Sequence, residues 1–171
     1  MFETNIAGPL RLVQLVVTTW RVRGYGVIVN VSSMQGRVSS PLEGVYSASK
    51  FGLEAISETL DYALSHFGIR VVIVEPGYIA LGMKRVTNLP RPAAYQPLYK
   101  QWEGADQKLT GLSGRPGPEV VGRAIGAAIE DPSTPLRVPV GDDAAMILAA
   151  RSQMSDGDFE EAMRSTLGVT W

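Results

Sequence analysis

The sequence predicts an α/β fold, a doubly wound parallel sheet with helices on both faces in three αβα layers, and three observations carry that prediction. Val27-Ile28-Val29-Asn30-Val31 is a short apolar, β-branched run of the kind found in a strand covered on both faces. Arg70-Val71-Val72-Ile73-Val74-Glu75 is a second such run. Between them Leu53, Ile56, Leu60 and Leu64 recur at helical spacing over residues 44–66. Strand, long helix, strand is a βαβ crossover, which joins parallel neighbours with a right-handed sense. Ligands in such sheets sit beyond the carboxyl ends of the strands. Ser33 and Pro76-Gly77 lie at those ends.

The remaining elements follow in order. Leu10, Val13, Val17 and Trp20 mark a helix over residues 7–22, with Pro9 tolerable only in its first turn. Gly24-Tyr25-Gly26 breaks that helix before the first strand. A polar stretch with Gly36, Pro41 and Gly44 leads into the long helix, and Gly68 suits a left-handed stop after it. Residues 78–118 are rich in Pro, Gly, Met and aromatic side chains without a sustained period, and read as a lid over a pocket. Met34, Gln35, Tyr78, Met83, Tyr95, Tyr99 and Trp102 are the candidates to line it, although loop packing uses the same residue types. Val120, Val121, Ala124, Ile125 and Ala128 predict a helix over 118–129. Leu136-Arg137-Val138-Pro139-Val140 suits a short third strand at an edge, because Pro139 cannot donate to a ladder. Two short helices are expected at 142–153 and 156–166, the first opened by Asp142 and Asp143, whose carboxylates favour the helix dipole. No repeat or linker divides the chain, so residues 1–171 are expected to form one domain.

Composition narrows the function. The formal charge is -1 and the basic residues are scattered, which argues against a nucleic-acid partner or a polybasic membrane anchor. With no cysteine and one histidine, His66, no metal site is expected. His66 itself suits the terminal carbonyls of the long helix. The run from Leu12 to Trp20 is too short and too interrupted by Gln14, Thr18 and Thr19 to cross a bilayer, so a cytoplasmic protein is expected.

Tyr46 and Lys50 stand out as an acid/base pair. Four residues apart on a helix, they emerge one turn apart on nearly the same face, thirteen residues after Ser33 in the case of Tyr46. A phenol ionises near 10, and a neighbouring ammonium favours the phenolate. Lowering that value by about three pH units takes about 4 kcal/mol, more than an exposed cation supplies in water. The pair is therefore expected in a partly dry cleft.

Together these residues resemble the short-chain dehydrogenase/reductase family over most of the chain. Asn30-Val31-Ser32-Ser33 is similar to its strand-end serine motif, and Tyr46-x-x-x-Lys50 to its catalytic pair. Pro76-Gly77-Tyr78-Ile79 is similar to its segment against the nicotinamide, and Asn5 to its helix asparagine. Ser49-Lys50-Phe51 through Val74-Glu75-Pro76-Gly77, with Leu136 to Gly141, looks most like members described as 17β-hydroxysteroid-dehydrogenase-like. The resemblance implies the C-terminal part of a Rossmann-like sheet and an oxidoreductase that interconverts a secondary alcohol and a ketone or aldehyde with NAD or NADP. It implies that Tyr46 donates or accepts the proton, Lys50 lowers its pKa and holds the nicotinamide ribose, Ser33 binds the reacting oxygen, and Asn5 supports a water relay. Val31, Tyr46, Lys50, Pro76, Gly77, Tyr78 and Ile79 would meet the cofactor. Ser33, Met34, Gln35 and Tyr46 would meet a small alcohol or carbonyl substrate, and the helices around 7–22 and 44–66 would pair copies of the chain into a homo-oligomer.

Two departures qualify the resemblance. Leu81 stands where a threonine commonly follows the Pro-Gly segment, which removes a hydroxyl from the cofactor side. The sequence also has no Gly-rich turn between an early strand and helix and no Asn-Asn-Ala-Gly segment; Gly24-Tyr25-Gly26 precedes a strand and reads as a turn. Compared with the family, the chain begins inside the fourth helix, so a fragment or a gene start at an internal methionine is expected, with weak cofactor binding by itself. The alternative is an inactive remnant that serves only as a helix-mediated oligomerising module.

Overall fold

A computed structural model describes residues 1–80, 90–105, 108 and 114–171. Three strands, β1 (Gly26–Val31), β2 (Ile69–Pro76) and β3 (Arg137–Val140), form one parallel sheet in the order β1-β2-β3. Gly26 pairs with Ile69 and Val31 with Val74 across β1 and β2, and Ile73 pairs with Arg137 across β2 and β3. Pro139 falls on the edge strand, where its missing N–H costs no ladder bond.

Helix α1 (Gly8–Arg23) follows a π-helical turn over Glu3–Ala7, with Pro9 in its first turn as expected. Helix α2 (Gly44–Leu64) is the crossover, continued by a 3₁₀ turn over Ser65–Phe67 and stopped at Gly68, whose φ of 70° is left-handed. Val13 of α1 and Leu64 of α2 pack with Ile28, Ile69 and Val71 of the sheet. Asn30, on the same sheet face as Ile28, donates its side-chain amide to Ser57 Oγ of α2 at 2.8 Å. The opposite face meets α4 (Glu119–Glu130), whose last carbonyls at Ala128 and Ile129 accept from the Arg70 guanidinium. Helices α5 (Asp142–Gln153) and α6 (Asp156–Leu167) close the chain. A second core at the carboxyl end of the sheet joins Ala144, Ile147 and Leu148 of α5 to Leu167, Met34, Tyr78 and Trp102.

The three-layer parallel arrangement is the one expected. Among the described residues β1 has β2 as its partner strand, and its burial alternates, with Ile28 and Asn30 buried, Val27 and Val29 half-buried and Val31 exposed. The stretch read as a lid contains helix α3 (Gln96–Ala105), preceded by a 3₁₀ turn at Ala93–Tyr95. Leu81 and Met83 lie outside the described residues.

Candidate active site

Ser33, Tyr46 and Lys50 converge at the carboxyl end of β1. Val31 closes the strand, and Ser33 caps the 3₁₀ turn Met34–Gly36, its Oγ accepting from the Gln35 N–H at 3.1 Å. The same hydroxyl lies 3.5 Å from the Pro76 carbonyl oxygen, which brings the ends of β1 and β2 together. Tyr46, in the first turn of α2, is close enough to Ser33 for that hydroxyl to favour its ionised form. Lys50, one turn on, donates from Nζ to the Val31 carbonyl at 2.9 Å, and that nitrogen stands 5.8 Å from the centre of the Tyr46 ring. Tyr46 and Lys50 are both half-buried, consistent with a partly dry cleft.

The electrostatics differ from the expectation. Burial holds the Tyr46 phenol above its ordinary value of 10; the Ser33 hydrogen bond pulls it partly back, and the Glu43 carboxylate pushes it up again. Burial also lowers Lys50, against the opposing pull of Glu54. Burial is the largest influence on the phenol, and the Lys50 ammonium beside it is at the same time hydrogen-bonded to the Val31 carbonyl. The phenol keeps its proton at neutral pH.

Other candidates occupy places that sequence proximity did not reveal. Asn5 donates from Nδ2 to Ser49 Oγ at 3.0 Å, and Ser49 donates to the Tyr46 carbonyl at 2.7 Å. Asn5 thus braces the turn of α2 that carries Tyr46. Met34 is 3% exposed and belongs to the core. Gln35 is buried, accepts from Ser47 Oγ at 3.0 Å and donates to the Glu43 carboxylate. Met34 and Gln35, both expected to meet substrate, are buried in the 3₁₀ turn that follows Ser33. Pro76, Gly77 and Ile79 are half-buried, and Tyr78 is buried with its ring beneath the Arg115 guanidinium.

A cavity of about 500 Å³ opens between the 37–41 loop, α3 and α6. Its walls include Val38, Phe51, Leu98, Trp102, Phe159 and Met163, with Arg37, Arg151 and Arg164 among its polar groups. Trp102 is part of this wall, whereas Ser33, Tyr46 and Lys50 do not line the cavity. Tyr95 instead lies beside Trp171, at 6.1 Å between ring centres, and Tyr99 lies under Arg91. Among the described residues no group of three or more acidic or imidazole side chains could hold a metal, and no helix is long and apolar enough to cross a membrane.

A buried ionic cluster beneath the site went unnoticed in the sequence. Glu75, which precedes Pro76, is fully buried, and Glu54 of α2 is 4% exposed. Arg137 Nε lies 3.0 Å from Glu54 and its Nη2 2.7 Å from Glu58, while Arg37 reaches Glu75 at 3.9 Å. Burial and the Glu54 charge raise Glu75 to about 7 despite both arginines. A carboxylate in a run of valines was the available signal.

The model of the short chain dehydrogenase family matches residues 1–91. The chain is similar to an uncharacterized oxidoreductase of Schizosaccharomyces pombe, at 29% identity over 99% of this chain and 71% of that protein. It is also similar to human 17-beta-hydroxysteroid dehydrogenase type 6, at 35% identity over 64% of this chain and 32% of that protein. Among solved structures, a short-chain dehydrogenase from Streptomyces avermitilis superposes with a TM-score of 0.73 at 29% identity, over 99% of this chain and 61% of that one. A short chain dehydrogenase from Burkholderia cenocepacia, solved in complex with NADP, shares the fold with a TM-score of 0.68 at 23% identity, over 97% of this chain and 56% of that one. The chain thus spans less than two thirds of the length of these two solved proteins.

Proposed function

Since this chain belongs to the short chain dehydrogenase family, we propose that it carries the catalytic part of an oxidoreductase that interconverts a secondary alcohol and a ketone or aldehyde with NAD or NADP. The observation that supports this reading most is the gathering of Ser33, Tyr46 and Lys50 at the carboxyl end of a parallel strand, with the Ser33 hydroxyl favouring the Tyr46 phenolate and Lys50 one helical turn away. A buried-side phenol, a hydroxyl and an ammonium are the donor set that a nicotinamide ribose and a reacting oxygen require. The residues fit that end of the cofactor: Val31, Tyr46, Lys50, and the turn Pro76, Gly77, Tyr78 and Ile79 would hold it. A bound nicotinamide supplies the hydride chemistry.

The chain's own groups would manage the proton. In carbonyl reduction Tyr46 Oη would give its proton to the substrate oxygen, which Ser33 Oγ would steady by a hydrogen bond, and in alcohol oxidation Tyr46 would take the proton back. The raised phenol is protonated at neutral pH, which suits the reductive direction. Oxidation needs the phenolate, and the Lys50 ammonium is the nearby cation able to favour it.

Tyr46→Phe tests this directly. Turnover of a carbonyl panel with NADPH or NADH is expected to fall by about 10²–10⁴-fold, both in this chain and in the chain preceded by a Gly-rich strand-helix segment. Near-normal turnover in the variant refutes the role. Exposed Leu12, Leu15 and Val22 on α1 and Val45 and Tyr62 on α2 favour the second reading, a module that pairs through these helices. A defined oligomer by light scattering with no nucleotide uptake selects that reading.

A further inference from the structure

The turn after β2 is held by a side chain from a distant element. The Gly77 N–H donates to the Val140 carbonyl at 2.9 Å, which is the last rung between β2 and β3. The next donor is the N–H of buried Tyr78, and β3 has no further carbonyl to offer, since Gly141 turns the chain into α5 with φ of 102°. A buried N–H left without an acceptor is costly. The Asp143 carboxylate accepts it instead, Oδ2 standing 2.6 Å from the Tyr78 nitrogen. An ionised acceptor makes a stronger bond than a carbonyl.

Two glycines make room for this carboxylate. A methyl group on Gly77 would overlap both Asp143 oxygens, and one on Gly141 would stand 2.6 Å from Oδ1. Gly77 has no left-handed backbone angle, so the need for glycine there comes from the space that Asp143 fills. Asp142, exposed at the first position of α5, is already placed to serve the helix dipole.

We propose that Asp143 is a positioning residue for the nicotinamide: from the first turn of α5 it fixes the Pro76-Gly77-Tyr78 turn beside Ser33, so that the C-terminal region of the chain completes the cofactor site. The proposal rests on the oxidoreductase reading for its ligand and on geometry alone for the strap. A carboxylate tied to the turn sets where Gly77 and Tyr78 present their backbone, and the Pro76 carbonyl lies against Ser33 Oγ at 3.5 Å. Loss of the tie would therefore loosen the turn and the serine together.

The experiment compares Asp143→Ala, Asp143→Asn and Gly77→Ala in the full chain by amide hydrogen exchange and by titration with NADPH and NADH. In Asp143→Ala the Tyr78 amide should exchange at least about tenfold faster while Val74 in the sheet is unchanged. Nucleotide affinity should fall by at least about tenfold. Asp143→Asn keeps an acceptor oxygen and should restore both. Gly77→Ala should reproduce the loss by ejecting the carboxylate, which guards against a folding defect peculiar to position 143. Unchanged Tyr78 exchange overturns the strap, and faster exchange with unchanged affinity overturns its link to the cofactor. If the unsubstituted chain takes up neither nucleotide, the cofactor reading itself fails, and faster Tyr78 exchange would then leave the strap standing without that ligand.

Discussion

Replacing Glu75 by glutamine should make the protein more stable above neutrality and leave it unchanged in mild acid. The carboxyl is fully buried, faces Glu54 and two guanidiniums, and holds its proton up to about 7, against an ordinary value of 4.5. Between those two values the unfolded chain has released the proton while the folded chain keeps it, so the native state binds more protons and stability falls as pH rises. Below about 4.5 both states are protonated and the cost is absent; above about 7 it is complete. That gap, at about 1.36 kcal/mol per pH unit, is roughly 3 kcal/mol. Glutamine imitates the protonated acid in size and cannot ionise. Chemical denaturation at a series of pH values from about 4 to 8 should therefore show two curves that nearly meet at the acid end and diverge to roughly 3 kcal/mol at the basic end, about 6–12 °C in midpoint for a chain of this size. Parallel curves across the window would refute the reasoning, because they would mean that Glu75 ionises alike in both states.

Three further outcomes can be checked. Ser57→Ala strips the acceptor from the buried Asn30 amide and should cost about 1–3 kcal/mol, whereas Asn30→Val together with Ser57→Ala should recover much of that loss in denaturation. Glu43→Gln should lower the pH at which Tyr46 ionises, read by ultraviolet difference absorbance against Tyr46→Phe, because Glu43 favours the neutral phenol. Leu15→Lys, at a position 77% exposed on α1, should weaken any self-association by at least about tenfold, measured by concentration-dependent light scattering.

The crossover and the shared face of Tyr46 and Lys50 were legible from local periodicity and spacing, whereas Ser33 joined them through the family resemblance. Gly68 and Pro139 were legible too, each having a backbone preference that names its place. The Asp143 strap was not, since its carboxylate and the Tyr78 N–H are 65 residues apart and no period joins them. The Glu54–Arg137 pair, 83 residues apart, hid in the same way. The burial of Met34 and Gln35 was not legible, because it comes from the 3₁₀ turn after Ser33 and its packing against α5. Tyr46 and Lys50 were rightly placed on one face, but only the fold reveals the carbonyl that competes for the ammonium.

The outermost position of β1 has a mechanical consequence. The strand bearing Ser33 is clamped by a hydrogen-bonded neighbour along one flank, β2, while the flank away from it has no partner strand among the described residues. Its tip therefore behaves as a cantilever whose stiffness comes from β2, from Lys50 gripping Val31 and from α2 pressed on one face. Whatever occupies the open flank would set how still the serine hydroxyl stands relative to the phenol.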